Sequence, residues 1–315
     1  MMCGMDKVVL LAGGTGAARL AVGLERELPP GALTVVTNTA DDLDFWGLRV
    51  CPDTDAVLFR LAGIFNEQAG FGVADETFKV RSQMRLLGEP DWFWLGDRDL
   101  AFHILRTSLL RSGASLTRTA LELGGRLGLQ TRVLPMSDQD VRTCFDTDAG
   151  WLAFQEYFVR ERLQPALRGL RFEGLPGAAP SPEVAEAIAD GELVVIGPSN
   201  PLISIAPILG VVGQLLDRKR TLAVTPLVGG RALKGPTAEM MRTLRGEASA
   251  LRVAEEYRRH AALFVLDRVD AESTEAVAAL GYRVLVADTV MNGREGERRL
   301  AAALLQFASR DQEQE

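Results

Sequence analysis

The stretch Val8-Val9-Leu10-Leu11-Ala12-Gly13-Gly14-Thr15-Gly16-Ala17-Ala18-Arg19 decides the fold. Its apolar, partly β-branched start reads as a buried strand, and a glycine-rich turn and a helical pattern follow. Glycines let a backbone approach a ligand closely, and the free amides of a helix N-terminus suit a phosphate. The third glycine of the dinucleotide fingerprint is missing, because Gly14 and Gly16 are followed by Arg19. No Lys-Ser/Thr pair follows either, which excludes a P-loop. Gly13, Gly14, Thr15 and Gly16 therefore read as a phosphate or nucleotide loop, with a bare strand–helix turn as the plainer alternative.

Outward from this unit the same rhythm repeats. Leu33–Thr37, Leu193–Ile196, Thr221–Thr225, Leu263–Asp267 and Arg283–Ala287 are short apolar runs. Helical patterns lie between them: Gly16–Glu27, Ala56–Asn66, Leu100–Arg111, Leu116–Leu127, Leu202–Leu216, Ala250–Arg259, Glu272–Leu280 and Glu295–Ser309. Near-continuous apolar strands alternating with helices imply an α/β fold: a doubly wound, mostly parallel, Rossmann-like sheet covered on both faces. Thr131–Leu175 breaks the rhythm and predicts a small insertion of mixed strands and helix. Within it, Arg142–Phe145 and Trp151–Phe158 flank a DTDAG turn. Ser181-Pro182-Glu183 predicts a capped helix start. The chain reads as one domain over 1–315, with a core over about 6–128 and 182–308 and the insertion over about 130–180.

Composition narrows the function. The 315 residues are 47% hydrophobic and 24% charged, an ordinary globular balance. A net charge of −7 argues against a general nucleic-acid binder, which needs a basic face. Only Lys7, Lys79, Lys219 and Lys234 are lysines, so Arg supplies the other 31 of the 35 cations. Cys3, Cys51 and Cys144 form no CxxC, and only His103 and His260 are histidines. A disulfide framework, a zinc site and a His-based triad are therefore not expected. No run approaches the roughly 20 apolar residues of a membrane span. Val8–Ala12 is too short for a secretory h-region. The chain reads as cytoplasmic, with no membrane partner, and its tail Ser309–Glu315 as frayed.

Three further motifs carry chemistry. Asn38-Thr39-Ala40-Asp41-Asp42-Leu43-Asp44 and Cys51-Pro52-Asp53-Thr54-Asp55 put five carboxylates within fifteen residues, after the second strand. Clustered carboxylates repel unless a cation sits among them, and with carboxylate oxygens as the donors that cation would be hard, Mg²⁺. The alternatives are a ribose contact or a solvated acidic loop that caps a helix near Ala56. Leu95-Gly96-Asp97-Arg98-Asp99 suits a metal or diphosphate, or a local ion pair with Asp99 as helix cap; His103 reads as a packed residue. Gly197-Pro198-Ser199-Asn200-Pro201 repeats the strand–loop–helix form, offering a second phosphate or base contact. Lys234, before another helix, can face a phosphate. Loops after successive strands of such a sheet line one crevice, where phosphoryl or nucleotidyl transfer depends on positioning and charge.

The strings GGTGAARL, NTADD, CPDTDAVL, LGDRDLAFH, SGASLT, LPMSDQDVRT and GPSNPLISIAPIL, in this order from Val8 to Met291, resemble the 2-phospho-L-lactate transferase family of coenzyme F(420) assembly. The resemblance implies a phospho-acid moved from lactyl- or enolpyruvyl-diphospho-5′-guanosine to the deazariboflavin Fo. The terminal hydroxyl of the Fo ribityl chain attacks the phosphorus bearing the acid, GMP leaves, and Mg²⁺ is required. Partners are these small molecules and a second copy in a homodimer. Asp55 matches the family aspartate that contacts Fo and is assigned here as proton acceptor, with Asp42 beside it. Trp94, Asp97 and Arg98 fall on the Fo side. Some members have a basic residue where this chain has Trp94, whose ring can stack on the flavin-like system or pack. Asp41, Asp42 and Asp53 are assigned to the metal. Gly13, Gly14, Thr15, Gly16, Asn38, Gly197, Ser199, Asn200 and Lys234 are assigned to the nucleotide and diphosphate.

A related family of non-catalytic regulators binds UDP-sugars and shares the GGTG start. Its members tend to show ADDGGSSGRLR and GPGSLYTS, where this chain reads ADDLDFWGLRV and GPSNPLIS. Both differences favour the transferase.

Overall fold

The computed structural model describes residues 5–312; Cys3 and the last three residues of the tail lie outside them. Seven strands build the central sheet. They are β1 (Val8–Ala12), β2 (Leu33–Thr37), β3 (Arg132–Pro135), β4 (Leu193–Ile196), β5 (Thr221–Val224), β6 (Leu263–Asp267) and β7 (Arg283–Ala287). Their order is β7-β6-β5-β4-β1-β2-β3, and every neighbouring pair is parallel. The first three strands run outward to one edge and the last four to the other. The strand order therefore reverses between β1 and β4, and ligands of open α/β sheets bind at such a switch point.

β1 shows why the runs are apolar throughout. Val8, Leu10 and Ala12 enter one buried cluster, and Val9 and Leu11 enter the cluster on the opposite face. Side chains alternate along a strand, so a sheet covered on both faces wants apolar residues at every position. Helix α1 (Gly14–Glu27) packs on the first face against α2 (Pro52–Leu61) and the C-terminal helix Gly293–Gln312. That last helix takes in Ser309, where the sequence suggested fraying.

The structure corrects several boundaries. Arg132–Pro135 is the edge strand β3, paired with β2, so the insertion begins after it. Four residues ending in Pro give little strand signal, and Pro is tolerated in an edge strand. The insertion is a three-stranded antiparallel sheet, with Arg142–Thr147 between Gly150–Ala153 and Leu167–Glu173. The expected strand Trp151–Phe158 stops at Ala153, and Glu156–Arg160 forms a π-helical turn. Phe154, Tyr157 and Phe158 have helical spacing. Phe154 stacks on Phe158 at 4.9 Å, and Tyr157 meets Phe145 at 4.6 Å. Pro201–Ile205 is also π-helical before Ala206–Val212, because Pro207 has no N–H to give the regular ladder.

Two helix starts matter for function. α2 begins at Pro52, not at Ala56: Pro occupies the first turn, and Asp53 and Asp55 complement the positive end of the helix. Lys79–Leu86 (α3) follows, and α4 (Asp97–Arg111) begins at Asp97 rather than Leu100. Among the described residues no helix is long and apolar enough to cross a membrane.

Candidate active site

A cavity of about 630 Å³ opens over the carboxyl ends of β1, β2, β4 and β5. Its floor is the pair of loops at the switch point. Gly14 has φ +65°, a conformation that favours glycine. A Cβ on Gly16 would collide with the Pro198 carbonyl oxygen, and one on Gly197 would sit 2.6 Å from the Ala17 Cβ. These glycines thus let the two loops press together, leaving Gly14 and Thr15 at the cavity wall. The Ser199 hydroxyl donates to the Gly13 carbonyl and accepts from the Gly13 N–H at 3.2 Å. Asn200 caps the following turn through the Leu202 N–H at 2.9 Å.

Two buried carboxylates face this cavity, Asp41 and Asp53. Asn38 donates to Asp53 Oδ2 at 3.0 Å and accepts the Ala40 N–H at 2.9 Å, which fixes both ends of its amide. Burial pushes the Asp53 carboxyl up to about 6, against the pull of Asn38 and the Gly14 N–H. Asp41 lies well above the usual carboxylate range, through burial first and then the charge of Asp53. Its Oδ1 takes the Thr143 hydroxyl at 3.3 Å.

Asp42 turns elsewhere. It pairs with Arg49 at 3.2 Å, and its other oxygen has no partner among the described residues. Burial outweighs Arg49 and lifts its carboxyl to about 7. Asp55 also leaves the cavity. Both its oxygens are held by the fully buried Arg106, with His103 Nδ1 at 3.7 Å. Burial drives His103 down to about 4, so its imidazole is neutral at pH 7. The cause is helical geometry: residues two apart on a helix point about 200° apart, so Asp53 and Asp55 serve opposite sides of α2.

The LGDRD segment is tied into its neighbours. Asp97 accepts the Thr77 hydroxyl and the Lys79 and Val80 N–H groups at 3.1 and 3.0 Å, capping α3. Arg98 donates to the Ala74 carbonyl at 2.6 Å. Trp94 is half exposed, with Arg81 over its ring at 4.0 Å. Asp99 does not cap its helix; it accepts the Val73 N–H at 3.1 Å.

Burial, with Asp55 and Glu76 nearby, pushes the Asp99 carboxyl up to about 7. The folded chain therefore binds a proton there that the unfolded chain has lost above about 4. That contribution to stability is complete below about pH 4 and is lost as pH rises to about 7. Asp99→Asn keeps the acceptor and removes the titration. Between pH 5 and 7 wild type should lose stability against this variant by up to about 1.4 kcal/mol per pH unit. Urea midpoints of the two proteins across that range check this; parallel curves contradict it.

The far side of the cavity is basic, with Arg19, Arg60 and Lys234 on its wall and Glu67 paired to both arginines. Thr225, Pro226 and the Thr289–Asn292 loop complete the lining.

A model of the family described as 2-phospho-L-lactate transferase CofD matches residues 8–294. The chain belongs to this family. It is 37% identical over 301 residues to the 2-phospho-L-lactate transferase of Methanosarcina mazei, covering 95% of this chain and 99% of that one. It is 36% identical over 314 residues to the phosphoenolpyruvate transferase of Streptomyces avermitilis, covering 96% and 98%. Among solved structures it is similar to a UPF0052-family protein from Bacillus halodurans, with a TM-score of 0.61 and 15% identity, covering 95% and 99%. That likeness shows the fold alone. The chain is a transferase enzyme.

In this transferase the glycine loop, Asp41, Asp53, Ser199, Asn200 and Lys234 meet at one cavity, with Asn38 behind Asp53. Asp42, Asp55, Trp94, Asp97 and Arg98 do not line it. Of the three aspartates assigned to a metal, Asp41 and Asp53 face the cavity and Asp42 does not, and no group of three His, Cys, Asp or Glu side chains is placed to hold a metal ion among the described residues. Sequence reading missed Arg60, Gln155 and the Thr289–Asn292 loop. Only Arg60 had a signal: seven residues after Asp53 it lies two turns along α2, on the same face, once the helix starts at Pro52.

Proposed function

We propose that this transferase moves a phospho-acid, 2-phospholactate or phosphoenolpyruvate, from a guanosine-diphospho donor to the terminal hydroxyl of Fo and releases GMP. The observation that carries the reading is the buried Asp41–Asp53 pair beside the glycine loop, in one cavity at the switch point. Two like charges buried together call for a cation. Mg²⁺ is held by one or two carboxylates plus phosphate oxygens, so this donor set fits it. Asp41 and Asp53 would hold the ion, which supplies charge neutralisation at the diphosphate when bound. Thr15 and Gly16 present α1 amides to the phosphates.

The hydroxyl oxygen forms a bond to phosphorus as the bond to the GMP oxygen breaks. The hydroxyl proton is lost late, to solvent in the open cavity, because a loose transition state needs little base assistance. Asp55, with both oxygens on Arg106, is a positioning residue that fixes α2 and hence Asp53. Trp94 keeps exposed surface for the Fo ring, whereas Asp97 and Arg98 shape the segment that carries it. The homodimer implied by the resemblance and the cytoplasmic location read from the sequence belong to the same proposal.

Ligand stabilisation tests it. Fo with GDP and Mg²⁺ should raise the melting temperature, and a UDP-sugar should not. Stabilisation by the UDP-sugar alone would point to the nucleotide-sugar regulator instead.

A further inference from the structure

We propose that Arg19, Arg60 and Lys234 form a subsite for a carboxylate on the transferred group. The proposal rests on the transferase reading above and adds which atoms of the donor this end of the cavity holds.

The three cations come from three elements: α1, α2 and the loop after β5. Arg60 is 4% exposed, and its Nε has no hydrogen-bond partner among the described residues. Its Nη1 meets Glu67 and its guanidinium covers the Phe65 ring at 3.8 Å. Arg19 reaches the same Glu67 at 3.3 Å and the Met291 carbonyl at 3.1 Å. Among the described residues Lys234 Nζ donates only to the Gly70 carbonyl, at 3.1 Å. Glu297 lies behind the group and off the cavity wall, its carboxyl raised by burial. This end of the cavity, with three cations and one acid on its wall, carries surplus positive charge, and a group of two guanidiniums and an ammonium suits an anion.

The position selects the anion. Arg19 is five residues beyond Gly14 on α1, roughly 7 Å along the helix axis. Arg60 is seven beyond Asp53 on α2, roughly 10 Å. Both helices thus bring their phosphate and metal groups to one end of the cavity and a cation to the other. The diphosphate already has counter-groups in the α1 amides and the Asp41–Asp53 cation site. The charge left over on a guanylylated phospho-acid is the carboxylate of the acid. Arg guanidinium is the donor that matches a carboxylate geometrically.

Titration calorimetry on the full chain with Mg²⁺ tests this with three probes: GDP, the lactate ester of GDP, and the ethyl ester, which lacks the carboxylate. Wild type should bind the lactate ester at least about tenfold more tightly than the ethyl ester. Arg60→Leu and Lys234→Met should each lose most of that preference while GDP affinity stays within about twofold. Lys234 is exposed, so its variant keeps the test valid if Arg60→Leu fails to fold. Equal losses for all three probes would assign the cations to the diphosphate and overturn the proposal. An unchanged preference in the Lys234→Met and folded Arg60→Leu variants would overturn it too. A wild type that binds none of the probes overturns the transferase reading itself, and the subsite with it.

Discussion

Asp53→Asn is expected to lower the transfer rate by about a hundred- to a thousandfold without loss of fold. The carboxylate that faces the cavity carries charge that an amide cannot replace. Asn38 stays in place to hold the new side chain through its own amide. Stability should hold or rise. Asp53 is a buried acid whose charge also pushes Asp41 upward, and its removal relieves both costs. A variant that melts no lower and turns over poorly separates chemistry from folding. Steady-state rates beside melting curves measure it, and a wild-type rate contradicts the cavity-facing assignment. Asp55→Asn should behave differently, losing stability together with rate, because its carboxylate is committed to Arg106.

Arg106→Leu is expected to destabilise the fold by about 3–5 kcal/mol. Arg106 is buried and holds both oxygens of Asp55, with the His103 Nδ1 at 3.1 Å and the Arg49 carbonyl at 3.4 Å. Removing it leaves a buried carboxylate with no counter-charge, since the nearby imidazole is neutral at pH 7. Replacing both partners, as Arg106→Leu with Asp55→Leu, should recover a large part of the loss, because the stranded charge goes with its partner. Urea unfolding of both single variants and the double variant reads the coupling directly. A single-variant cost below about 1 kcal/mol would show a pair open to solvent rather than closed. The pair clamps α2 to α4, so rate losses in these variants should follow the displaced Asp53.

The sequence carried the sheet wherever strands are buried on both faces. VVLLA, LTVVT, LVVI and LFVLD leave little choice, and each appears as written. β3 was hidden because an edge strand of four residues needs neither length nor a continuous apolar run. The candidate site was legible as residue types and not as directions. CPDTD reads as an acidic loop until Pro52 is placed at the first turn of a helix. Only then do Asp53 and Asp55 separate to opposite sides, one to the cavity and one to a buried arginine. Ser199 lines the cavity and also ties the two loops together. The basic end was legible only in pieces, Lys234 before a helix and Arg60 in register with Asp53, because Arg19, Arg60 and Lys234 meet only through the order of the strands.

The central claim is transfer of a phospho-acid to Fo, and one incubation tests it most directly. The purified chain would be mixed with Mg²⁺, Fo and equal amounts of the lactyl, enolpyruvyl and glyceryl guanosine-diphospho donors, and the products weighed by mass spectrometry. The account predicts GMP and a deazaflavin product heavier than Fo by one phospho-acid, whose mass names the acid. Folded protein that yields no such product, and that Fo and GDP leave unstabilised, would contradict it.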